Sequence, residues 1–123
     1  MEKQAITLVI GASENPERYS NKAINMLRGH QFPVVAVGNR AGQVKDVPIL
    51  TTTPAADVPI DTVTLYLNPA LQRQYYDYLM QLKPRRIIFN PGTENAELED
   101  MARKQGIEPV EACTLVLVTT GQY

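Results

Sequence analysis

Three short stretches carry side chains suited to holding an anionic ligand. In the first, Gly11-Ala12-Ser13 closes an apolar run, and a helix is expected to open near Ser20-Asn21. The leading N–H groups of a helix lack carbonyl partners and lie at the positive end of its dipole, so phosphate is attracted there. Arg18, just before that helix, and Lys22, in its first turn, are each placed to meet a phosphate. Glu14 and Glu17 oppose one unless they turn to solvent. Only Gly11 fits the Gly-x-Gly-x-x-Gly fingerprint, which argues against an ordinary NAD pyrophosphate turn. In the second stretch, Asn39-Arg40 stands where NAD-binding sheets place a carboxylate for the ribose hydroxyls. An arginine fork suits a ribose that itself carries a phosphate. Coenzyme A, with its 3′-phosphate, and NADP, with its 2′-phosphate, both meet that description.

The third stretch, Asn90 to Asn95, contains Gly92 for close backbone approach, but Glu94, Glu97, Glu99 and Asp100 follow it. Those carboxylates repel phosphate, so this loop is expected either to line the crevice beside a neutral part of the ligand or simply to cap the next helix. The turn Leu67-Asn68-Pro69 joins the same rim, where its backbone can meet the edge of an adenine ring. His30, the chain's only histidine, follows a helix-ending glycine and reads as a C-terminal cap rather than a catalyst. Cys113 reads as buried packing, the alternative being a ligand-facing thiol able to form a mixed disulfide with CoA. Tyr75, Tyr76 and Tyr78 read as core or rim rather than a stacking platform, and Arg85-Arg86 as a solvated turn.

The elements that must position these residues alternate. Near-continuous apolar runs predict strands at Ala5–Ile10, Val34–Val37, Thr62–Leu67 and Arg86–Phe89, with a short fifth at Glu108–Val110. Helices are expected at Asn21–Gly29, from Asn68-Pro69 onward, and at Asn95–Gln105. The second should bury Leu71, Tyr75, Tyr78, Leu79 and Leu82. Residues Arg40 to Pro59 lack a strong period and read as a long loop, with a brief strand near Pro48–Leu50 and a helical turn after Pro54. The run Thr114 to Val118 fits a last helix or strand. This order predicts one Rossmann-like, doubly wound α/β domain over residues 1–123, with a mostly parallel five-stranded sheet and helices on both faces.

Composition narrows the function. With 123 residues there is room for one core, and 44% apolar with 20% charged residues is ordinary for a folded globular chain. A formal net charge of −1 argues against a nucleic-acid binder. A single cysteine excludes an internal disulfide and a cysteine-rich zinc site and fits a reducing compartment. No apolar run approaches membrane-spanning length, and Met1 to Gln4 lead into the first strand without a signal-peptide pattern, so a cytoplasmic setting is expected. Paired carboxylates at adjoining strand ends, a Ser–His–Asp set, a metal-ligand cluster and a P-loop lysine are not found in the sequence.

The motifs occur in a familiar order: Val9-Ile10-Gly11-Ala12-Ser13 with Pro16, Val35-x-Val37-x-Asn39, Asp61-x-Val63, Phe89-x-x-Gly92-x-x-Asn95-x-Glu97, then Gly106-Ile107 and Cys113. Nearly the whole chain thereby resembles the stand-alone CoA-binding domain proteins, which are similar to the N-terminal domain of the succinyl-CoA synthetase alpha subunit. The resemblance implies CoA lying across the strand ends, with Gly11, Ala12, Ser13, Asn39, Arg40, Asn68, Pro69 and Gly92 as contacts. It departs at the end of strand two, where relatives read Val-Asn-Pro and this chain reads Val37-Gly38-Asn39-Arg40. It also has Phe89 and Pro91 where relatives carry a Trp and a Gln. The expectation is a non-catalytic CoA or acyl-CoA binding protein acting as sensor, carrier or regulatory module on a small nucleotide-type ligand, with its protein partner undefined. The alternatives are an NADP-binding, reductase-like fragment and a ligand-free interaction domain.

Overall fold

Runs of Val, Ile and Leu form strands that are covered on both faces. The computed structural model describes residues 5–123, so the reading of Met1 to Gln4 lies outside the described residues. β1 (Ile6–Ile10), β2 (Val34–Val37), β3 (Gly42–Val44), β4 (Val47–Leu50), β5 (Ile60–Leu65), β6 (Arg86–Phe89) and β7 (Glu108–Glu111) form one sheet in the order β3-β4-β2-β1-β5-β6-β7. All neighbours run parallel except β3, which pairs antiparallel with β4. The expected doubly wound α/β architecture is present, but the sheet has seven strands rather than five.

Of the two additional strands, β4 is the brief strand expected near Pro48–Leu50, and β3 comes from residues expected to be loop. Val44, Val47 and Ile49 point into the core while Gln43, Pro48 and Leu50 face out, an alternation too short to register as a period. A two-residue turn at Lys45-Asp46 joins them, with Lys45 left-handed at φ 57°. Arg28 secures the hairpin by a paired contact to the Asp46 carboxylate, Nε at 2.9 Å and Nη2 at 2.7 Å.

On one face, α1 (Tyr19–Gly29) and α5 (Thr114–Thr119) cover the sheet. Ile24, Leu27 and Val118 pack there on Val9, Ala36, Val44, Val47 and Ile49. His30 caps α1 as expected, its N–H and ring Nδ1 both reaching the Met26 carbonyl. On the opposite face, α3 (Tyr76–Leu82) and α4 (Ala96–Lys104) bury Leu79, Leu82, Leu98 and Ala102 against Leu8, Val63, Leu65, Ile87 and Phe89. Among the described residues, no helix is long and apolar enough to cross a membrane.

The expected second helix is broken. Asn68 accepts from the Leu71 N–H at 3.0 Å and starts a single turn, α2 (Pro69–Gln72), followed by a 3-10 turn (Arg73–Tyr75) before α3. The break turns Gln72 fully inward and leaves Leu71 exposed, contrary to the buried position expected for it. Arg86 also differs from expectation. It is buried rather than solvated, donating to Thr62 Oγ1 at 2.9 Å and to the Tyr123 carbonyl at 3.1 Å, with its guanidinium 4.6 Å from the centre of the Tyr123 ring. The chain end is thereby fastened to the middle of the sheet, helped by a hydrogen bond between the Thr7 and Tyr123 hydroxyls.

Candidate functional site

The topology creates a crevice at a defined place. From the central β1 the chain winds outward through α1 to β2, then crosses to β5 on the other side of β1. Loops leaving the carboxyl ends of β1 and β5 therefore diverge, and ligands of open α/β sheets bind where they do. A cleft of about 910 Å³ lies there.

Its floor is the turn after β1. The Gly11 and Ala12 N–H groups both donate to the Val37 carbonyl at 2.9 Å, tying this turn to the end of β2. Gly11 has φ +96°, and a Cβ there would stand 2.7 Å from the Tyr66 carbonyl oxygen, so only glycine passes this close to the end of β5. Beyond it, Asn21 Nδ2 donates to the Ser13 carbonyl at 3.0 Å and Asn15 Oδ1 accepts from the Glu17 N–H at 3.0 Å, which fixes the loop in front of α1. No acidic residue lies in the first turn of α1, and the Tyr19 and Ser20 N–H groups precede any helical carbonyl they could bond. Tyr19 and Ser20 line the cleft, so the positive end of α1 faces it.

Gly38, Asn39 and Arg40 form the second wall, and Tyr66, Leu67, Leu71 and Tyr75 the third. Arg18 and Arg40 are exposed at the rim, and neither joins an ion pair with the described residues. The carboxylates of the first loop also border the cleft, but Glu14 is engaged: it accepts from the Gln43 N–H on β3 at 2.8 Å. Burial pushes the Tyr66 phenol up to about 12, the Thr114 and Thr64 hydroxyls offsetting part of the effect, so Tyr66 is neutral at physiological pH.

Of the expected site residues, Gly11, Ala12, Ser13, Arg18, Asn39 and Arg40 come together in this cleft. Four do not line it. Lys22 is exposed elsewhere on α1, Asn68 and Pro69 form the cap and first residue of α2, and Gly92 donates its N–H to Glu94 Oε1 in the loop after β6. That loop serves the capping role open to it, with Asn95 Oδ1 accepting from the Leu98 N–H. The β3–β4 hairpin extends the sheet, and from Ala41 to Pro59 no residue lines the cleft. Leu67 joins the rim as expected, whereas sequence reasoning missed Tyr19, Tyr66 and Leu71 and read Tyr75 only as core or rim. The signal for Tyr66 was available, since it follows β5 at the end where ligands bind.

Behind Tyr66 a buried polar knot joins β5, β6 and α5. Asn90 Nδ2 donates to Thr64 Oγ1 at 2.6 Å and the Leu65 carbonyl at 2.9 Å, while its Oδ1 accepts from the Thr114 N–H at 2.9 Å. Gln72 makes a second knot, donating to the Leu67 and Thr93 carbonyls and accepting from Asn95 Nδ2, each at 2.8 Å. Beside the first knot is a smaller chamber of about 240 Å³, lined by Tyr19, Tyr66, Asn90, Pro91, Cys113 and Leu115. Cys113 is half-buried on its wall. Among the described residues no group of three or more His, Cys, Asp or Glu side chains is placed to hold a metal ion.

A family model described as a CoA binding domain matches residues 6–119. The chain belongs to the CoA-binding domain family. An uncharacterized protein of known crystal structure is 42% identical over 99% of this chain and 100% of its own, with a TM-score of 0.93. A Thermus thermophilus protein solved as cell-free ID.343 shares the fold at TM-score 0.85 and 18% identity, over 98% of this chain and 91% of the other. A dinucleotide-forming acetyl-coenzyme A synthetase of Ca. Korarchaeum cryptofilum, solved with phosphate and ADP, shares it at TM-score 0.68 and 17% identity, over 88% of this chain and 25% of the synthetase. None of the curated proteins matches this family member in sequence.

Proposed function

We propose that the protein binds coenzyme A, free or acylated, across the cleft between β1, β2 and β5, and acts without catalysis as a carrier, sensor or regulatory module. The observation that carries this reading is the convergence of two phosphate-seeking features, the amino end of α1 and Arg40 beyond β2, on a cleft floored by the turn after β1. In this reading the diphosphate lies against the turn and the helix end, and the adenosine 3′-phosphate lies against Arg40. Membership of the CoA-binding domain family supports CoA over NADP as the nucleotide. That no residue from Ala41 to Pro59 lines the cleft supports a ligand-binding role over that of a closed interaction domain.

Titration calorimetry with CoA, dephospho-CoA and NADP tests this. CoA is expected to bind most tightly. Dephospho-CoA should bind roughly five- to tenfold more weakly, the modest effect of one charge-assisted contact at an exposed arginine. Arg40→Ala should weaken CoA by the same factor and leave dephospho-CoA unchanged. Failure of CoA to bind removes the function, and tighter binding of NADP replaces it with the nicotinamide alternative.

A further inference from the structure

The smaller chamber adjoins the nucleotide cleft, because Tyr19 and Tyr66 stand in the walls of both. It lies at the far side of the sheet's carboxyl edge from Arg40. Asn90 and Pro91 reach it from the end of β6, and Cys113 and Leu115 reach it from the segment after β7. Strands are spaced by about 4.8 Å, so a ligand anchored at the β1 turn must cross roughly 10–14 Å, two to three spacings, to enter it. The pantetheine arm of CoA is a chain of about thirteen bonds with two amides. Its contour equals that of about four extended residues, or roughly 13–14 Å. An arm leaving a diphosphate at the turn therefore ends at the chamber.

The lining says what the chamber accepts. No charged side chain is among the six residues. Both Asn90 Nδ2 hydrogens are taken by Thr64 and Leu65 and its Oδ1 accepts from Thr114, so it offers a ligand one acceptor lone pair and no donor. Tyr66 is a neutral phenol, which its burial moves further from ionisation. What remains are aromatic faces, a proline ring, a leucine and a thiol, which together suit an uncharged, mostly apolar guest. An apolar cavity of about 150 Å³ holds a benzene-sized molecule. At about 240 Å³ the chamber has room for a thioester carbonyl and a short acyl chain, but not for a long one.

We infer that this chamber is the acyl subsite of the protein, and that it selects short-chain acyl-CoA thioesters over both free CoA and long-chain thioesters. The inference rests on the reading that the cleft binds CoA, and the experiment separates the two.

Dissociation constants are measured by calorimetry for CoA and for its acetyl, butyryl, octanoyl and palmitoyl thioesters. The affinity is expected to rise about fourfold per methylene buried, from acetyl to butyryl, and to stop rising or fall by octanoyl. Leu115→Trp occupies the chamber and should bring the butyryl-to-CoA affinity ratio to about one. Leu115→Ala enlarges it and should move the best chain length upward. Butyryl-CoA should also slow alkylation of Cys113, the chain's one cysteine, more than acetyl-CoA does, neither thioester having a free thiol to consume the reagent. If no CoA compound binds, the function itself is wrong. If CoA binds but the wild type ignores chain length, the acyl end lies elsewhere and the inference is overturned. Leu115 variants with an unchanged chain-length profile, or an unchanged alkylation rate, overturn it as well.

Discussion

Replacing Gly11 with alanine tests the geometry on which the cleft depends, and Gly92 supplies the control. The two glycines have nearly the same φ, +96° and +91°. A Cβ in this region costs an L-residue about 1–2 kcal/mol. Around Gly92 there is open space, so Gly92→Ala should cost that and little more. At Gly11 the new methyl would also lie 2.7 Å from the Tyr66 carbonyl oxygen and 2.9 Å from its carbon. These are backbone atoms, and the Tyr66 N–H is itself bonded to the Ile10 carbonyl at 2.9 Å, so β5 cannot retreat without losing that bond. Overpacking of this kind adds roughly 1–3 kcal/mol. Gly11→Ala is therefore expected to lose about 2–5 kcal/mol in total. With a urea slope of about 2 kcal/mol/M, its midpoint falls by roughly 1–2.5 M, against about 0.5–1 M for Gly92→Ala. The β1 turn would also be forced away from Tyr66, so CoA affinity should fall in the Gly11 variant and not in the Gly92 variant. If both variants lose the same stability, the close approach does not shape the cleft and the reasoning fails.

Three further outcomes follow from the side chains. Asn90→Ala leaves the Thr114 N–H and the Leu65 carbonyl without their buried partner and should cost roughly 2–4 kcal/mol in urea unfolding. Burial and the neighbouring Glu111 carboxyl hold Glu99 above its ordinary value of 4.5. The folded chain thus keeps that proton longer than the unfolded one, and stability declines as pH rises from 4.5 through the raised value. Glu99→Gln should remove that decline and be the more stable form above it, as urea midpoints across pH 4–7 will report. Asp61 shows the opposite sign: its hydrogen bonds to Arg85 lower it from 3.8. Its contribution is complete above pH 3.8 and is lost as pH falls through the lower folded value, so the midpoint of Asp61→Asn should vary less below pH 4 than that of the wild type.

Long apolar runs made the sheet's centre legible. The runs that became β1, β2, β5 and β6 are buried on both faces, and such strands announce themselves by composition alone. Edge elements obey a weaker rule. In β3 and β4 only Val44, Val47 and Ile49 face inward, and three residues cannot establish an alternation amid Lys45, Asp46 and Pro48. Arg86 escaped for another reason. Its place depends on Thr62, one strand over, and on Tyr123, which is 37 residues away along the chain. No local pattern reports a partner so distant.

The same distinction governs the site. Gly11, Ala12, Ser13, Asn39 and Arg40 were legible because they follow strands, and topology sends every such loop to one edge of the sheet. Leu71 and Tyr75 were read as core because they are four residues apart, the spacing of one helical face. The inference failed at a single residue: Gln72 is drawn inward by the Leu67 and Thr93 carbonyls, which breaks the helix after one turn and rotates Leu71 into the cleft. A buried amide with three partners thus outweighed the apolar period. Polar residues that interrupt a helical stripe near a strand's carboxyl end are therefore the places where a predicted core face is most apt to become a binding wall. In this chain that exchange builds the third wall of the cleft.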